Sequence, residues 1–184
     1  ILKEMMQVVK TTKEVKYILQ HKEVMVDGVK RKDHRFTTGL FDVISIKETK
    51  ENFRVLLNKN GKLTLVNIND KEATIKPCKV VGKTHLKGNK LQINLNDGKN
   101  ILTKKDDIKI GDTIIITIPD QKVKEIVRLD KESRIFLTGG SHIGFTGTVE
   151  NIDGKTITFK SGNDKFETLK KYAFAINNIK VENE

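Results

Sequence analysis

Glu23-Val24-Met25-Val26-Asp27-Gly28-Val29-Lys30-Arg31-Lys32 sets two short extended runs on either side of an Asp-Gly pair. Asp-Gly accepts the positive φ angles of a tight turn, so the stretch predicts a β-hairpin. Beyond it, the Gly39 turn leads into a third extended run, Leu40-Phe41-Asp42-Val43-Ile44-Ser45-Ile46. Before it, Thr11 and Glu14 have the spacing of a capping box, in which the Thr hydroxyl and the Glu carboxylate satisfy each other's orphan amides. A helix is therefore expected from Thr11 to about Gln20, with Val15, Ile18 and Leu19 as its apolar stripe. Leu2, Met5, Met6 and Val9 suggest an earlier helix, partly cut off.

From Lys47 to about Asp130 the pattern becomes a series of short extended runs. These are Phe53 to Leu57, Leu63 to Ile68, Cys78 to Val81, Leu91 to Leu95, Ile114 to Ile118 and Val123 to Leu129. Asn60-Gly61, Gly88-Asn89, Asp97-Gly98 and Pro119-Asp120 mark turns between them. The last segment repeats the pattern with Ile135 to Leu137, Gly147 to Val149, Thr156 to Phe159 and Lys165 to Leu169, and with a turn at Asp153-Gly154. The expected fold is mainly β with a small α+β N-terminal module. Three small domains are expected in tandem, at 1–46, 47–130 and 131–184, joined through limited interfaces.

The balance of charge then narrows the partner. Lys plus Arg is 35 against 24 for Asp plus Glu, a net +11, which points to a polyanion. No apolar run approaches the roughly 20 residues of a membrane span, so nucleic acid is favoured over membrane. No secretory signal is legible at Ile1-Leu2-Lys3-Glu4-Met5, and a cytoplasmic location is expected. Cys78 is the single cysteine, read as a small buried strand residue. His21, His34, His85 and His142 are scattered, without metal-ligand or triad spacing, and neither metal nor cofactor is expected.

Lys22, Lys30, Arg31, Lys32, His34 and Arg35 cluster at the hairpin, where a short rigid element offers phosphate oxygens several donors. A solvated face would carry the same charges, but the whole-chain balance favours RNA. By segment, nine Lys/Arg stand against six acids in 1–46, eighteen against eleven in 47–130 and eight against seven in 131–184. The central segment, through Lys79, Lys83, Lys87, Lys90 and Lys99, should share the phosphate load, and the last should lean more on backbone or protein contacts. Trp is absent and Phe plus Tyr number ten, which argues for phosphate and shape recognition over base stacking.

The hairpin with Gly39-Leu40-Phe41-Asp42-Val43-Ile44-Ser45-Ile46 resembles the RNA-binding module that opens S4e ribosomal proteins. Relative to that module, the first helix looks incomplete and the basic tail expected before it is missing. Glu51-Asn52-Phe53-Arg54-Val55-Leu56 with Gly61-Lys62-Leu63, then Cys78-Lys79-Val80 and Ile110-Gly111-Asp112-Thr113-Ile114, are similar to the central domain of the same family. Gly139-Gly140-Ser141-His142-Ile143-Gly144-Phe145-Thr146-Gly147-Thr148-Val149 resembles a KOW motif, the glycine-punctuated element of small Src-homology-like β-barrels. Gly140, Gly144 and Gly147 either turn a barrel corner or let the loop approach a partner closely. Gly139 and Gly144 also have the spacing of a nucleotide-binding loop, but Phe145 stands where its Lys must be.

The resemblance covers essentially the whole chain. It implies a non-catalytic constituent of the small ribosomal subunit that holds rRNA, lies beside other ribosomal proteins and is monomeric outside the ribosome. A KOW-containing regulator of transcription elongation would leave the central segments unexplained. An RNA-modifying enzyme would need a nucleophile, base or cofactor loop that no stretch supplies.

Overall fold

The computed structural model describes residues 1–6, 9–88, 90–104, 106–177 and 179–181. The capping box forms as read. Thr11 Oγ1 accepts from the Glu14 amide at 3.2 Å, and Glu14 Oε2 accepts from the Thr11 amide at 3.4 Å. They start α1 (Thr12–His21), which buries Leu19 and lays Val15 and Ile18 against the first sheet. Residues 1–6 are turns rather than the earlier helix expected around Leu2 and Met6.

Among the described residues fifteen strands make three five-stranded antiparallel sheets. The first contains β1 (Val24–Val26), β2 (Val29–Lys30), β3 (Val43–Ile46), β4 (Glu51–Leu57) and β5 (Leu63–Ile68), in the order β2-β1-β3-β4-β5. Asp27 and Gly28, at φ +50° and +74°, close the β1–β2 hairpin as the Asp-Gly pair predicts. This sheet overrides the expected boundary after Ile46, because Val43 pairs with Arg54 and Ile46 with Glu51 across it. Residues 47–50 are thus a tight β3–β4 turn, with Lys47 on Glu23 at 2.6 Å, and not a linker. The first unit extends to Ile68.

The second sheet contains β6 (Ile75–Leu86), β7 (Lys90–Leu95), β8 (Asn100–Thr103), β9 (Thr113–Thr117) and β10 (Val123–Val127), in the order β10-β9-β6-β7-β8. Its spine is β6, twelve residues long, where a four-residue run is legible in the sequence. Its first half pairs with β9 and its second half with β7. Of the expected Gly88-Asn89 turn, Asn89 lies outside the described residues.

The third sheet contains β11 (Arg134–Leu137), β12 (Thr146–Asp153), β13 (Thr156–Ser161), β14 (Asp164–Leu169) and β15 (Ala173–Ala175), in the order β14-β13-β12-β11-β15. Its first and last strands pair, Ile135 with Ala175 and Leu137 with Ala173, so the sheet curls back as a small half-barrel does. Residues 128–133 connect β10 of sheet two to β11 of sheet three.

The units do not meet through limited interfaces. One apolar core takes Phe41, Leu56 and Val66 from the first sheet region, Ile115, Val127 and Leu129 from the second, and residues from Ile135 to Val181 from the third. Phe41 packs there, its ring tilted against Phe174 at a centroid distance of 4.5 Å and edge-on to Phe136 at 5.8 Å. Val127, the last residue of β10, and Leu129 just beyond it enter this shared core, while Asp130, Lys131 and Glu132 between the two sheets are exposed.

The loop between β11 and β12 is a second seam. A Cβ on Gly144, at φ +77°, would stand 2.4 Å from the Asn58 carbonyl oxygen and 2.8 Å from the Lys59 amide nitrogen. Ile143 reaches Gly61 beside it, and Lys59 Nζ lies 5.2 Å over the Phe145 ring. Gly144→Ala therefore meets both a left-handed backbone and backbone atoms that cannot swing aside. It is expected to lose about 2–4 kcal/mol of stability in urea unfolding. Gly154→Ala, at φ +53° with nothing within 4 Å, should lose only about 1 kcal/mol. Equal losses would contradict a close seam at Gly144.

Candidate nucleic-acid interface

Helix α1 and the β1–β2 hairpin share one apolar support, Leu19, Val24, Ile44 and Val55. The hairpin turn is braced from the other side, since a Cβ on Gly28 would lie 3.1 Å from Pro119 Cδ. On this frame Lys22, Lys30, Lys32 and Arg35 are exposed. None of them lies within ion-pair distance of a carboxylate among the described residues. Arg31 is half-buried, its guanidinium 4.0 Å over the Phe36 ring, and its buried Nε has no hydrogen-bond partner. His34 Nδ1 stands 3.5 Å from Asp33 Oδ1. The hairpin thus presents a fixed set of free cations, with Arg31 holding the following loop in place.

The central lysines divide. Lys87 and Lys90 are exposed at the β6–β7 tip. Lys83 is half-buried and donates to Asp106. Lys79 is buried, and its ammonium donates to the carbonyls of Ala173 at 2.5 Å, Lys171 at 2.9 Å and Lys170 at 3.2 Å. Burial, with the Lys170 charge adding to it, pushes Lys79 down to about 8. Lys99 lies 3.1 Å from Asp97 and 3.3 Å from Asp27. The Lys79 ammonium is thus turned inward, Lys99 is engaged by two largely buried aspartates, and Lys83 is paired at the surface with the exposed Asp106. Counting charge along the sequence cannot separate an exposed lysine from one whose ammonium is turned inward.

Two buried cations escaped the sequence reading. Lys76 donates to Asp27 at 2.6 Å and to Asp42, with Asp97 at 3.4 Å. Burial alone would lower its pKa, but the hydrogen bonds and charges of Asp27 and Asp42 outweigh it and leave Lys76 raised. With Lys99 this makes a five-residue ion cluster joining sheet one to sheet two. Period-two alternation was the available signal, because Lys76 shares a face of β6 with Cys78 and Val80. Arg54, fully buried, donates to the carbonyls of Glu72, Ile75 and Lys180. Burial lowers its pKa, with the Glu72 charge acting against the shift. Cys78 is buried as read, and desolvation with the Asp97 charge pushes its thiol up, away from reactivity.

The loop glycines are largely accounted for by the fold. Gly144 meets Asn58, Gly147 packs on the Lys160 carbonyl and the Phe159 ring, and Gly140 sits at φ +81° beside the Tyr172 ring. His142 is wrapped by Phe145, Phe159 and Phe166. Among the described residues no group of three or more His, Cys, Asp or Glu could hold a metal ion. Among the described residues no helix is long and apolar enough to cross a membrane.

Among the described residues, three antiparallel sheets, one capped helix and exposed cations at two hairpins make a basic, mainly β protein. Residues 49–123 match the model of ribosomal family S4e. The small ribosomal subunit protein eS4 of Methanosphaera stadtmanae is 36% identical, over 96% of this chain and 75% of that protein. Its counterpart from Methanothermobacter thermautotrophicus is 37% identical over the same shares. The crystal structure of the 30S ribosomal protein S4e from Thermoplasma acidophilum superposes with a TM-score of 0.82 at 31% identity, covering 94% of this chain and 89% of that one. The chain belongs to ribosomal family S4e.

Proposed function

We propose that this chain is a structural, non-catalytic constituent of the small ribosomal subunit, which binds rRNA and supports subunit assembly and translation. The observation that carries the reading is the match of the whole three-sheet fold, at 31% identity, to a 30S ribosomal protein. Lys22, Lys30, Lys32 and Arg35 of the first hairpin, with Lys87 and Lys90 of the central one, take the rRNA phosphates. The ion cluster and the shared core hold the sheets in one relation, so that cations far apart in sequence keep a fixed spacing on folded rRNA. The protein is monomeric before assembly, works in the cytoplasm and meets neighbouring ribosomal proteins in the subunit.

Sedimentation of cell extracts tests the reading. The chain is expected to co-migrate with small subunits and to remain with them after washing at moderate salt. A pool found mainly free of ribosomes in growing cells would overturn it. Neither a transcription regulator nor an RNA-modifying enzyme finds support among the relatives matched here.

A further inference from the structure

A cleft of about 660 Å³ lies between sheets two and three and has no part in the phosphate contacts above. Its open walls carry Val81, Ile110 and Leu169, which are 53%, 58% and 40% exposed. Three large aliphatic side chains left in water around one concavity mark a docking surface. The polar lining is one-signed. Lys155, Lys170 and Lys171 stand on the sheet-three side, no acidic residue lines the cleft, and none of the three pairs with a carboxylate among the described residues.

We infer that this cleft docks a segment of a neighbouring protein in which an aliphatic or aromatic residue lies between acidic residues. The apolar anchor fills the space among Val81, Ile110 and Leu169, and the carboxylates meet Lys155, Lys170 and Lys171. Apolar centre and charged rim are the arrangement of protein interfaces. An unpaired nucleotide fits less well, because stacking needs an aromatic face and the cleft's aromatic ring, Phe174, is only 2% exposed. The inference rests on residence in the small subunit, where such a neighbour is held close.

The test places a photoreactive side chain on either wall of the full-length chain, Val81→p-benzoylphenylalanine or Leu169→p-benzoylphenylalanine, and lets each chain assemble into subunits. Both positions are solvent-facing, so folding is expected to be unaffected and is checked by thermal melting. Adducts formed on irradiation of purified subunits are sequenced by mass spectrometry. Both positions should crosslink to one protein segment with an apolar residue flanked by Asp or Glu. Adding Lys170→Glu and Lys171→Glu should reduce the yield about tenfold, equivalent to about 1.4 kcal/mol. Adducts to rRNA, adducts to a neutral or basic segment, or no adduct from either position would overturn the inference while leaving the proposed function standing. A chain that folds but is absent from the subunits overturns the proposed function, and this inference with it.

Discussion

Lys76→Met is expected to destabilise the folded chain by about 3–5 kcal/mol, the cost of removing one partner from a buried ion pair. Asp27, Asp42 and Asp97 all converge on this one ammonium. Each is more than four-fifths buried and would be left with only Lys99 as a counter-charge. Methionine keeps most of the volume, so the loss reports the charge and not a cavity. Urea unfolding should show a lower midpoint with an unchanged slope, as a loss of stability requires. Lys87→Met, at an exposed position with no ion pair among the described residues, should change stability by less than about 0.5 kcal/mol.

Acid should act on the same cluster. Burial works against ionisation of Asp97, but the Lys99 amide and the charges of Lys76 and Lys99 prevail, and its pKa lies below the ordinary 3.8. A carboxylate depressed in the folded state contributes stability that is complete above its unfolded value and is lost as the pH falls through the folded one. The difference in stability between the wild type and Lys76→Met should therefore shrink below about pH 4. A loss under about 1 kcal/mol at neutral pH would mean that water, and not Lys76, compensates the three aspartates.

Local chemistry made much of this fold legible. The Thr11–Glu14 box, the Asp27-Gly28 turn and alternating runs such as Leu63 to Ile68 act between near neighbours, and each appears where its residues place it. Strands defined by distant partners were not legible. Asn100–Thr103 and Ala173–Ala175 lack a strong pattern of their own and are strands because β7 and β11 pair with them. The boundary after Ile46 failed for a related reason. Lys47, Glu48, Thr49 and Lys50 have the polarity of a linker, and only the pairing of β3 with β4 makes them a turn.

The candidate interface divides along the same line. Lys22, Lys30, Lys32 and Arg35 follow from a turn that exposes its flanks. Lys79 and Lys99 depend on which layers close over them, and their ammonium groups satisfy carbonyls and aspartates from distant segments. Arg54 sits in a stretch that the sequence marks for its family resemblance, yet its role, gathering three carbonyls including Lys180 of the far terminus, exists only after folding.

The salt dependence of rRNA binding tests the account most directly, because it counts phosphates neutralised. Each lost contact should reduce the slope of log affinity against log salt by roughly 0.7 to 0.9. Lys30→Gln, Lys32→Gln and Arg35→Gln together should flatten it by about 2 to 3 units, with folding intact, since these side chains are exposed and unpaired. Titration of the wild type and this triple variant onto a small-subunit rRNA fragment, at several salt concentrations, supplies the slopes. A slope reduced by that amount is the predicted result. An unchanged slope with an unchanged melting curve would contradict it, leaving the hairpin a solvated face and placing the phosphate contacts elsewhere.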